Sequence, residues 1–405
     1  MRVLLSTFGS RGDVEPMAAL AVALQSLGAG AIVSAPADPE FLALVDRAGV
    51  PLAPAFMPIR AFIDWARRSG STLPQAAAEV MRGQYEAIAA AVDGCDAVVA
   101  TGLFPSTAAA QAVAETQGLP FVLTTFCPVV LPSLRHPPLQ YPGHPHPPGL
   151  TDNAALWAFN DQAMSALFGE AVNGHRAALG LPVLDHVRDP VFTRRPLLAA
   201  DPVLAPWTPT DLLDPVPTGA WILPDDRPLP PGLEDFLQAG APPVYVGFGS
   251  MALAGSTDAA AVAIEAVRAH GRRVVLAQGW AGLAPVDDAS DCFAVSDVNQ
   301  QALFPRVAAV IHHGGAGSTT AAARAGTPQV IIPQIADQPY FAGRVAALGI
   351  GAGHEGPTPT PASLSVALDS ALAPETRRRA AEVSASIRAD GATVAARWLL
   401  DRLSG

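Results

Sequence analysis

The chain has 405 residues, of which 50% are hydrophobic and only 15% are charged, and its formal net charge is -11. This length predicts two domains rather than one, each with an ample apolar core. An acidic protein without a basic run is a poor candidate for binding nucleic acid. The basic side chains other than His are all Arg, which excludes a P-loop lysine, a lysine base and Schiff-base chemistry.

Cysteine content and hydropathy narrow the class further. The three cysteines are scattered along the chain, which argues against a disulfide framework and against a Cys-based metal site. Met1 and Arg2 lead directly into a strand, so we expect no signal peptide. The richest apolar stretch, residues 18–35, is interrupted by Gly, Ser and Gln, so we expect no membrane span and a cytoplasmic protein.

The first elements are a strand that begins at residues 3–5, a loop of small residues at 6–13, and an amphipathic helix. Because Pro16 is tolerated only in the first turn of a helix, we expect this helix to begin near Asp13. Asp13 then lies at the mouth of the sheet, where open α/β folds bind ligands. It is either a helix cap or a base that takes a proton from an attacking hydroxyl, and the local sequence leaves both open.

Two regions of the first half have no regular pattern. Residues 128–149 are so rich in proline that they can form neither a helix nor a central strand. A loop bordering a substrate pocket is the favoured interpretation there, and a metal site is the alternative, built from His136, His144 and His146. The second region contains four large apolar residues, for which we favour core packing over a wall that binds the acceptor: Phe56, Met57, Phe62 and Trp65.

A proline-dense stretch at 201–231 predicts a linker between domains. After this stretch, residues 244–250 predict a strand followed by a glycine loop. A helix is predicted next at 258–270 and a strand at 273–277. Each half therefore opens as strand, glycine-containing loop, helix and strand. This duplication predicts an α/β protein with two doubly wound domains that face each other across a cleft.

Residues 309–320 organise the second half, because an apolar strand end is followed by a tight, glycine-rich turn. We expect Ser318 or Thr319 to cap the next helix, at 321–325, and Gly326 to follow its end. A turn that is poor in β-carbons lets a ligand approach the backbone, and the helix N-terminus behind it favours an anion. The segment therefore predicts a site for a phosphate-bearing ligand.

Side chains near this turn add further polar groups. His312 and His313 supply donors that a purely structural turn does not need. The backbone at Val298 follows another strand and is a candidate for reading a base edge, with a simple connector as the alternative. Asp337 and Gln338 offer acceptors and an amide that suit sugar hydroxyls, with a helix cap as the alternative.

Three segments together resemble a known family. Residues 6–16, residues 312–320 and Asp337-Gln338 are similar, in this order, to motifs of the bacterial natural-product glycosyltransferases of the GT-B fold. The likeness is greatest to the glycopeptide-antibiotic glycosyltransferases, and sterol glucosyltransferases share the first two motifs. It covers essentially the whole chain. It implies four parts: an acceptor-binding domain at 1–205, a linker at 206–222, a nucleotide-sugar-binding domain of Rossmann type at 223–385, and a C-terminal helix at 386–405 that packs back on the first domain.

The resemblance also implies an activity, namely inverting transfer of a sugar from a UDP- or dTDP-sugar to a hydroxyl of a hydrophobic acceptor. Asp13 would be the general base, and neither a metal nor another cofactor would be needed. Val298 would contact the nucleobase, and Asp337 with Gln338 the donor sugar. Ten residues would hold the donor diphosphate, with His312 as a secondary contact: Ser10, Arg11, Ser250, His312, His313, Gly314, Gly315, Gly317, Ser318 and Thr319.

Three other functions stay open at this stage. A sugar-nucleotide epimerase can use the same two-domain fold. A non-catalytic partner of another transferase has no need of both Asp13 and His313, which speaks against that class. A dehydrogenase is disfavoured because residues 9–12, Gly-Ser-Arg-Gly, lack the G-x-G-x-x-G spacing. The acceptor, the donor sugar and the choice between UDP and dTDP are not fixed by the sequence.

Overall fold

The computed structural model describes residues 1–141, 143–249, 256–280 and 282–403, and for 256–259 it describes the backbone alone. The chain divides into two compact units. The first unit comprises Met1–Asp201, Pro206–Leu223 and Arg388–Gly405, and the second comprises Pro202–Ala205 and Pro224–Ile387. The predicted linker, 206–222, therefore lies within the first unit, while residues 202–205 belong to the second.

The first unit contains a parallel sheet of seven strands in the order β3-β2-β1-β4-β5-β6-β7. Its strands are β1 (Arg2–Phe8), β2 (Gly30–Ala35), β3 (Leu52–Pro54), β4 (Ala97–Gly102), β5 (Phe121–Thr125), β6 (Leu197–Leu198) and β7 (Val216–Pro217). The inner strands are apolar and buried on both faces, as expected for a parallel sheet covered by helices, and residues 3–5 of β1 are fully buried.

Helices alternate with these strands. They are α1 (Arg11–Ser26), α2 (Pro39–Arg47), α3 (Ile59–Ser69), α4 (Leu73–Ala91), α5 (Phe104–Gln117), α6 (Asn153–Ala178) and α7 (Arg188–Phe192). On one face of the sheet, Ile88 of α4 and Val113 of α5 pack against Leu4 and Val98 in a common core. The apolar runs at 97–100 and 121–123 predict strands, and the structure confirms them as parts of β4 and β5.

The second unit contains a parallel sheet of six strands in the order β10-β9-β8-β11-β12-β13. Its strands are β8 (Val244–Gly247), β9 (Val274–Ala277), β10 (Cys292–Val295), β11 (Ala309–His312), β12 (Gln329–Ile331) and β13 (Gly351–Gly353). Its helices are α8 (Pro231–Gln238), α9 (Ser256–Ala269), α10 (Gln300–Leu303), α11 (Ala316–Arg324), α12 (Gln338–Ala347), α13 (Pro361–Leu372) and α14 (Pro374–Ser384). The strand–loop–helix–strand opening predicted for each half is confirmed.

The sequence pattern at 375–403 predicts one long C-terminal helix, but this region forms two helices. Helix α14 ends at Ser384, and a separate helix, α15 (Gly391–Leu403), packs against α1 of the first unit. A β-carbon at Gly391 would lie 2.5 Å from the carbonyl carbon of Gly219, so the start of α15 needs glycine for a close backbone approach. Within the part of the chain that is described, no helix combines the length and the hydropathy needed to cross a bilayer.

Candidate active site

Each sheet reverses its strand order at one point. In the first unit the chain goes from β1 to β2 on one side and later adds β4 on the other, and in the second unit β8 has β9 on one side and β11 on the other. The carboxyl ends of the strands at such a reversal form the crevice in which open α/β sheets bind ligands. The turn after β1 and the turn after β11 both lie at these points.

The turn after β1, which we call the first turn (residues 9–13), is closed by a capping box. The backbone N–H of Ser10 donates to Asp13 Oδ2 at 2.8 Å, and Ser10 Oγ accepts from the Gly12 N–H at 3.3 Å. Ser10, not Asp13, is therefore the N-cap of α1, which begins at Arg11. Asp13 occupies the third helical position, where a carboxylate satisfies the cap's own N–H.

The carboxyl group of Asp13 has an altered acidity. Its loss of hydration on burial raises the pKa from 3.8 to about 6, against the smaller, opposite effect of its hydrogen bonds with Ser10. A β-carbon at Gly9 would lie 2.6 Å from Asp13 Cγ, so the position of the carboxyl group depends on a glycine there. The first turn thus holds a carboxylic acid that ionises close to neutral pH.

Two predictions for this turn need correction. The strand continues to Phe8, so the first part of the predicted loop is extended. Pro16 lies inside α1, beyond its first turn, because the helix starts two residues earlier than its position suggested. Arg11 donates from Nε to Glu15 Oε2 at 2.7 Å, an ion pair along the helix face, and its contact with phosphate stays a prediction.

The turn after β11, which we call the second turn (residues 313–318), leads into α11 with Gly315 as N-cap and no side-chain cap. The prediction that Ser318 or Thr319 caps this helix is wrong, because both lie within its first turns. Thr319 is buried, and its Oγ1 donates to the Gly315 carbonyl at 2.9 Å. Gly326 follows the end of α11 with φ of 64°, which confirms its predicted place.

The start of α11 has the features that favour an anion. The first backbone N–H groups of a helix have no acceptor within it, and here these are the amides of Ala316, Gly317 and Ser318. The helix dipole adds partial positive charge at the same end. Gly317 is exposed, so an anion can reach these amides.

His313 stands next to these amides in a confined position. A β-carbon would lie 3.1 Å from its Cε1 if built on Gly249, and 2.6 Å from its Nε2 if built on Gly315. Its Nδ1 is buried and has no hydrogen-bond partner among the described residues. Burial lowers the pKa of His313 to about 4, so its ring is neutral at pH 7.

His312 occupies a different environment, although it is adjacent in sequence. Its side chain is buried, its Nδ1 accepts from the Gly314 N–H at 3.1 Å, and its Nε2 lies 2.9 Å from Gln329 Oε1. Burial lowers its pKa to about 3, with a smaller contribution from neighbouring His313. Both ring nitrogens of His312 and the amide of Gly314 are thus engaged in hydrogen bonds inside the protein, and their contacts with the diphosphate stay predictions.

The remaining predicted site residues follow other strands of the second unit. Val298 lies between β10 and α10, and its side chain packs into the core. Asp337 is the N-cap residue of α12 but makes no side-chain cap. Gln338 is buried, and its Oε1 accepts from the backbone N–H groups of Gln334 at 2.7 Å and Ile335 at 3.2 Å. Ser250 lies outside the described residues.

The structure brings further residues next to the candidate site that the sequence motifs do not indicate. Gly9 and Gly249 make room for Asp13 and His313, and Gln329 bonds to His312 from the neighbouring strand. A polar residue that opens an otherwise apolar strand was the available signal for Gln329. Among the described residues no group of three or more His, Cys, Asp or Glu side chains is arranged to hold a metal ion.

Comparisons with known proteins agree with this arrangement. Residues 284–395 match the family model "Erythromycin biosynthesis protein CIII-like, C-terminal domain". The chain is 52% identical to vancomycin aglycone glucosyltransferase of Amycolatopsis orientalis, over 100% of this chain and 98% of that protein. It is 48% identical to dTDP-epi-vancosaminyltransferase of the same organism, over 95% of this chain and 93% of that protein.

Solved structures show the same fold. The glycosyltransferase VinC in complex with DTDP superimposes with a TM-score of 0.65 at 22% identity, over 100% of both chains. Two doubly wound parallel α/β units with this match define a GT-B glycosyltransferase, which confirms the predicted fold and enzyme class. The chain belongs to the family of the glycopeptide-antibiotic glycosyltransferases, as its motifs predicted.

Proposed function

We propose that this glycosyltransferase moves a sugar from a dTDP- or UDP-sugar to a hydroxyl group of a hydrophobic natural-product acceptor, with inversion at the anomeric carbon. Asp13 is the general base, and the second turn binds the donor diphosphate. The observation that carries the proposal is the carboxyl group of Asp13, which Ser10 holds at a helix start and whose pKa is raised to about 6.

The acceptor hydroxyl is a poor nucleophile near neutral pH, so it needs a base. Because Oδ2 of Asp13 accepts from Ser10, and no described residue hydrogen-bonds to Oδ1, we assign proton acceptance to Oδ1. A pKa of about 6 leaves the group ionised at pH 7 while keeping it close to the working pH. Such a base contributes roughly a hundred- to ten-thousandfold to the rate. Direct attack by the activated hydroxyl inverts the anomeric centre.

The departing diphosphate gains negative charge, and the second turn meets that charge with fixed donors. The amides of residues 316–318 and the dipole of α11 are already oriented, so they stabilise the transition state without rearrangement. His313 adds a ring N–H from a neutral imidazole, and the arriving anion raises its pKa. These groups take the role that a divalent cation has in other enzymes, so the proposal includes no metal and no other cofactor.

The spacing of the second sheet supports the remaining donor contacts. Strands β10 and β11 are separated by two others, which corresponds to roughly 14 Å at about 4.8 Å per strand. This separation suits an extended nucleoside diphosphate with its phosphates at the second turn and its base at Val298. Asp337 and the Nε2 amide of Gln338 then contact the sugar. The printed name of the 48% identical relative, dTDP-epi-vancosaminyltransferase, favours a dTDP donor.

The acceptor side of the proposal is supported by aromatic side chains next to the first turn. The buried ring of Phe8 lies 5.4 Å from that of Phe62 and 5.8 Å from that of Phe56, and Phe62 stacks on Trp65 at 5.7 Å. The rings of Phe56, Phe62 and Trp65 are only partly buried, which suits contact with an apolar acceptor. A relative named for the vancomycin aglycone fits a large acceptor of this kind. Nucleotide sugars are cytoplasmic metabolites, and we propose that compartment for the reaction.

The test is transfer by the Asp13→Asn variant, with dTDP-glucose or UDP-glucose as donor and a glycopeptide aglycone as acceptor. We expect single-turnover transfer to fall on the order of a hundred- to ten-thousandfold, with dTDP affinity unchanged. Glu15→Gln is the matched control, because it removes a carboxylate from the same helix end. NMR of the glycoside gives the anomeric configuration. Full activity of Asp13→Asn would exclude Asp13 as the base, and a retained configuration would exclude direct displacement.

A further inference from the structure

A chain of buried hydrogen bonds runs beneath the second turn. Gln329 of β12 donates from Nε2 to the Thr319 carbonyl at 3.3 Å. Its Oε1 faces Nε2 of His312 at 2.9 Å, and Nδ1 of His312 accepts from the Gly314 N–H at 3.1 Å. The side chains of Gln329 and His312 are both buried, so water does not compete for these bonds.

Backbone groups at both ends of this hydrogen-bond chain determine which atoms donate and which accept. The Gly314 amide can only donate, so Nδ1 of His312 carries no proton and Nε2 does. The Thr319 carbonyl can only accept, so the NH₂ group of Gln329 faces it and Oε1 faces His312. One tautomer of His312 and one orientation of the Gln329 amide therefore satisfy all three bonds.

These hydrogen bonds connect the two sides of the second turn. Gly314 precedes α11 and has φ of 95°, and its missing β-carbon would lie 2.6 Å from Ile331 Cγ2. Thr319 lies in α11, one turn after the amides that face the anion site. Gln329 and His312 thus tie the start of the turn to the start of the helix, and they direct the Gly314 amide inward, away from any ligand.

We propose that His312 and Gln329 are positioning residues, which hold the second turn so that His313 and the amides of residues 316–318 face the donor diphosphate, and that His312 itself does not bind the diphosphate. This inference rests on the proposed function, because it assumes that the diphosphate binds at this turn. It assigns a role to Gln329 and reverses the one first expected for His312.

The role requires a neutral His312. Protonation would place an N–H on Nδ1 directly against the N–H of Gly314 and would break the bond that positions the turn. The buried environment, which lowers the pKa of His312 to about 3, keeps the ring in its neutral form at any working pH.

Two substitutions of Gln329 test this proposal. Gln329→Leu removes both of its side-chain bonds, and Gln329→Glu keeps the size of the side chain while it loses the donor to Thr319 and offers His312 a carboxylate. Thr327→Val is the matched control, since Thr327 is also buried, lies two residues before Gln329 and donates from Oγ1 to the Phe304 carbonyl at 2.7 Å.

The first readout is the state of the His312 ring, from ¹⁵N-edited NMR of the full-length protein. We expect the neutral Nε2–H tautomer in the wild type and in Thr327→Val, a mixture of tautomers in Gln329→Leu, and a protonated ring in Gln329→Glu. A wild-type ring that is protonated on Nδ1, or an unchanged tautomer in both Gln329 variants, would overturn the proposal.

The second readout is calorimetric titration with dTDP. We expect affinity to fall about tenfold in both Gln329 variants and to stay unchanged in Thr327→Val. In kinetics the donor KM rises more than kcat falls, because Gln329 touches no reacting atom. Wild-type affinity in both Gln329 variants would overturn the positioning role. Failure of the wild type to bind dTDP would instead contradict the proposed function, and the NMR result would still decide whether the hydrogen-bond chain exists.

Discussion

The two turns occupy equivalent places in their sheets but hold opposite kinds of acid–base groups. Both follow a strand at the reversal of strand order, and both lead into a helix. The first turn partly buries the carboxyl group of Asp13, and the second buries the imidazole of His312 and partly buries that of His313. Burial raises the pKa of the acid to about 6 and lowers those of the bases to about 3 and 4, so in each case it favours the uncharged form.

Under the proposed function, one local architecture supports two chemical tasks. At pH 7 the Asp13 carboxyl group is ionised, because the pH is about one unit above its pKa. This small difference suits proton transfer. For the two histidines pH 7 is far above the pKa, so they act as neutral hydrogen-bonding groups. The helix amides supply the positive potential. Identical positions in the fold therefore do not imply identical roles.

The largest effect is expected from crowding the first turn. In Gly9→Ala the new methyl group would displace the Asp13 carboxyl group, because their atoms would overlap. We expect single-turnover transfer to fall about a hundredfold or more, while dTDP affinity is retained. Gly12→Ala is the control, since its β-carbon would meet Ser10 Oγ at an ordinary 3.6 Å. Equal activity of the two variants would show that catalysis does not depend on the placement of the Asp13 carboxyl group.

A smaller effect is expected from the equivalent change in the second turn. In Gly315→Ala the β-carbon would lie 2.6 Å from Nε2 of His313, so the ring must move. We expect dTDP affinity to fall about tenfold, as for the loss of one good hydrogen bond. Gly343→Ala in α12 has open space for its β-carbon and controls for a glycine replacement in the same unit. Undiminished affinity in Gly315→Ala would argue against a diphosphate contact by His313.

The smallest effect is the pH dependence near neutrality. Because Asp13 must be ionised to accept a proton, kcat/KM is expected to be constant above its pKa, about half of its maximum at pH 6, and tenfold lower for each further pH unit. His313, with a pKa of about 4, does not titrate in this window. The residual activity of Asp13→Asn should lack the acid limb. A limb that persists in this variant would assign the titration to another group.

Sequence patterns were sufficient for the architecture but not for the ends of its elements. Apolar runs and glycine loops predicted the central strands and both turns, because these signals are local. The predicted start of α1 near Asp13 is wrong, because Ser10 is the cap and Pro16 lies beyond the first helical turn. The single helix expected at the C-terminus is two, with Gly391 at the start of the second.

Candidate site residues could be predicted where a local motif contains them. Their environments could not be predicted where contacts from distant parts of the sequence determine them. Asp13 and His313 follow from their turns. The opposite environments of His312 and His313 do not, because they depend on Gln329 from the next strand and on Gly249 from β8's loop. Thr319 looked like a cap, but its hydroxyl bonds back to Gly315 within the helix.

The most direct test of the account is a crossed comparison of Asp13→Asn and His313→Ala, measured by dTDP titration and by single-turnover transfer without added metal. The account predicts that Asp13→Asn binds dTDP like the wild type but transfers sugar at a small fraction of its rate, and that His313→Ala loses most of its dTDP affinity. Unchanged dTDP binding in His313→Ala together with full transfer by Asp13→Asn would contradict the division of roles between the two turns.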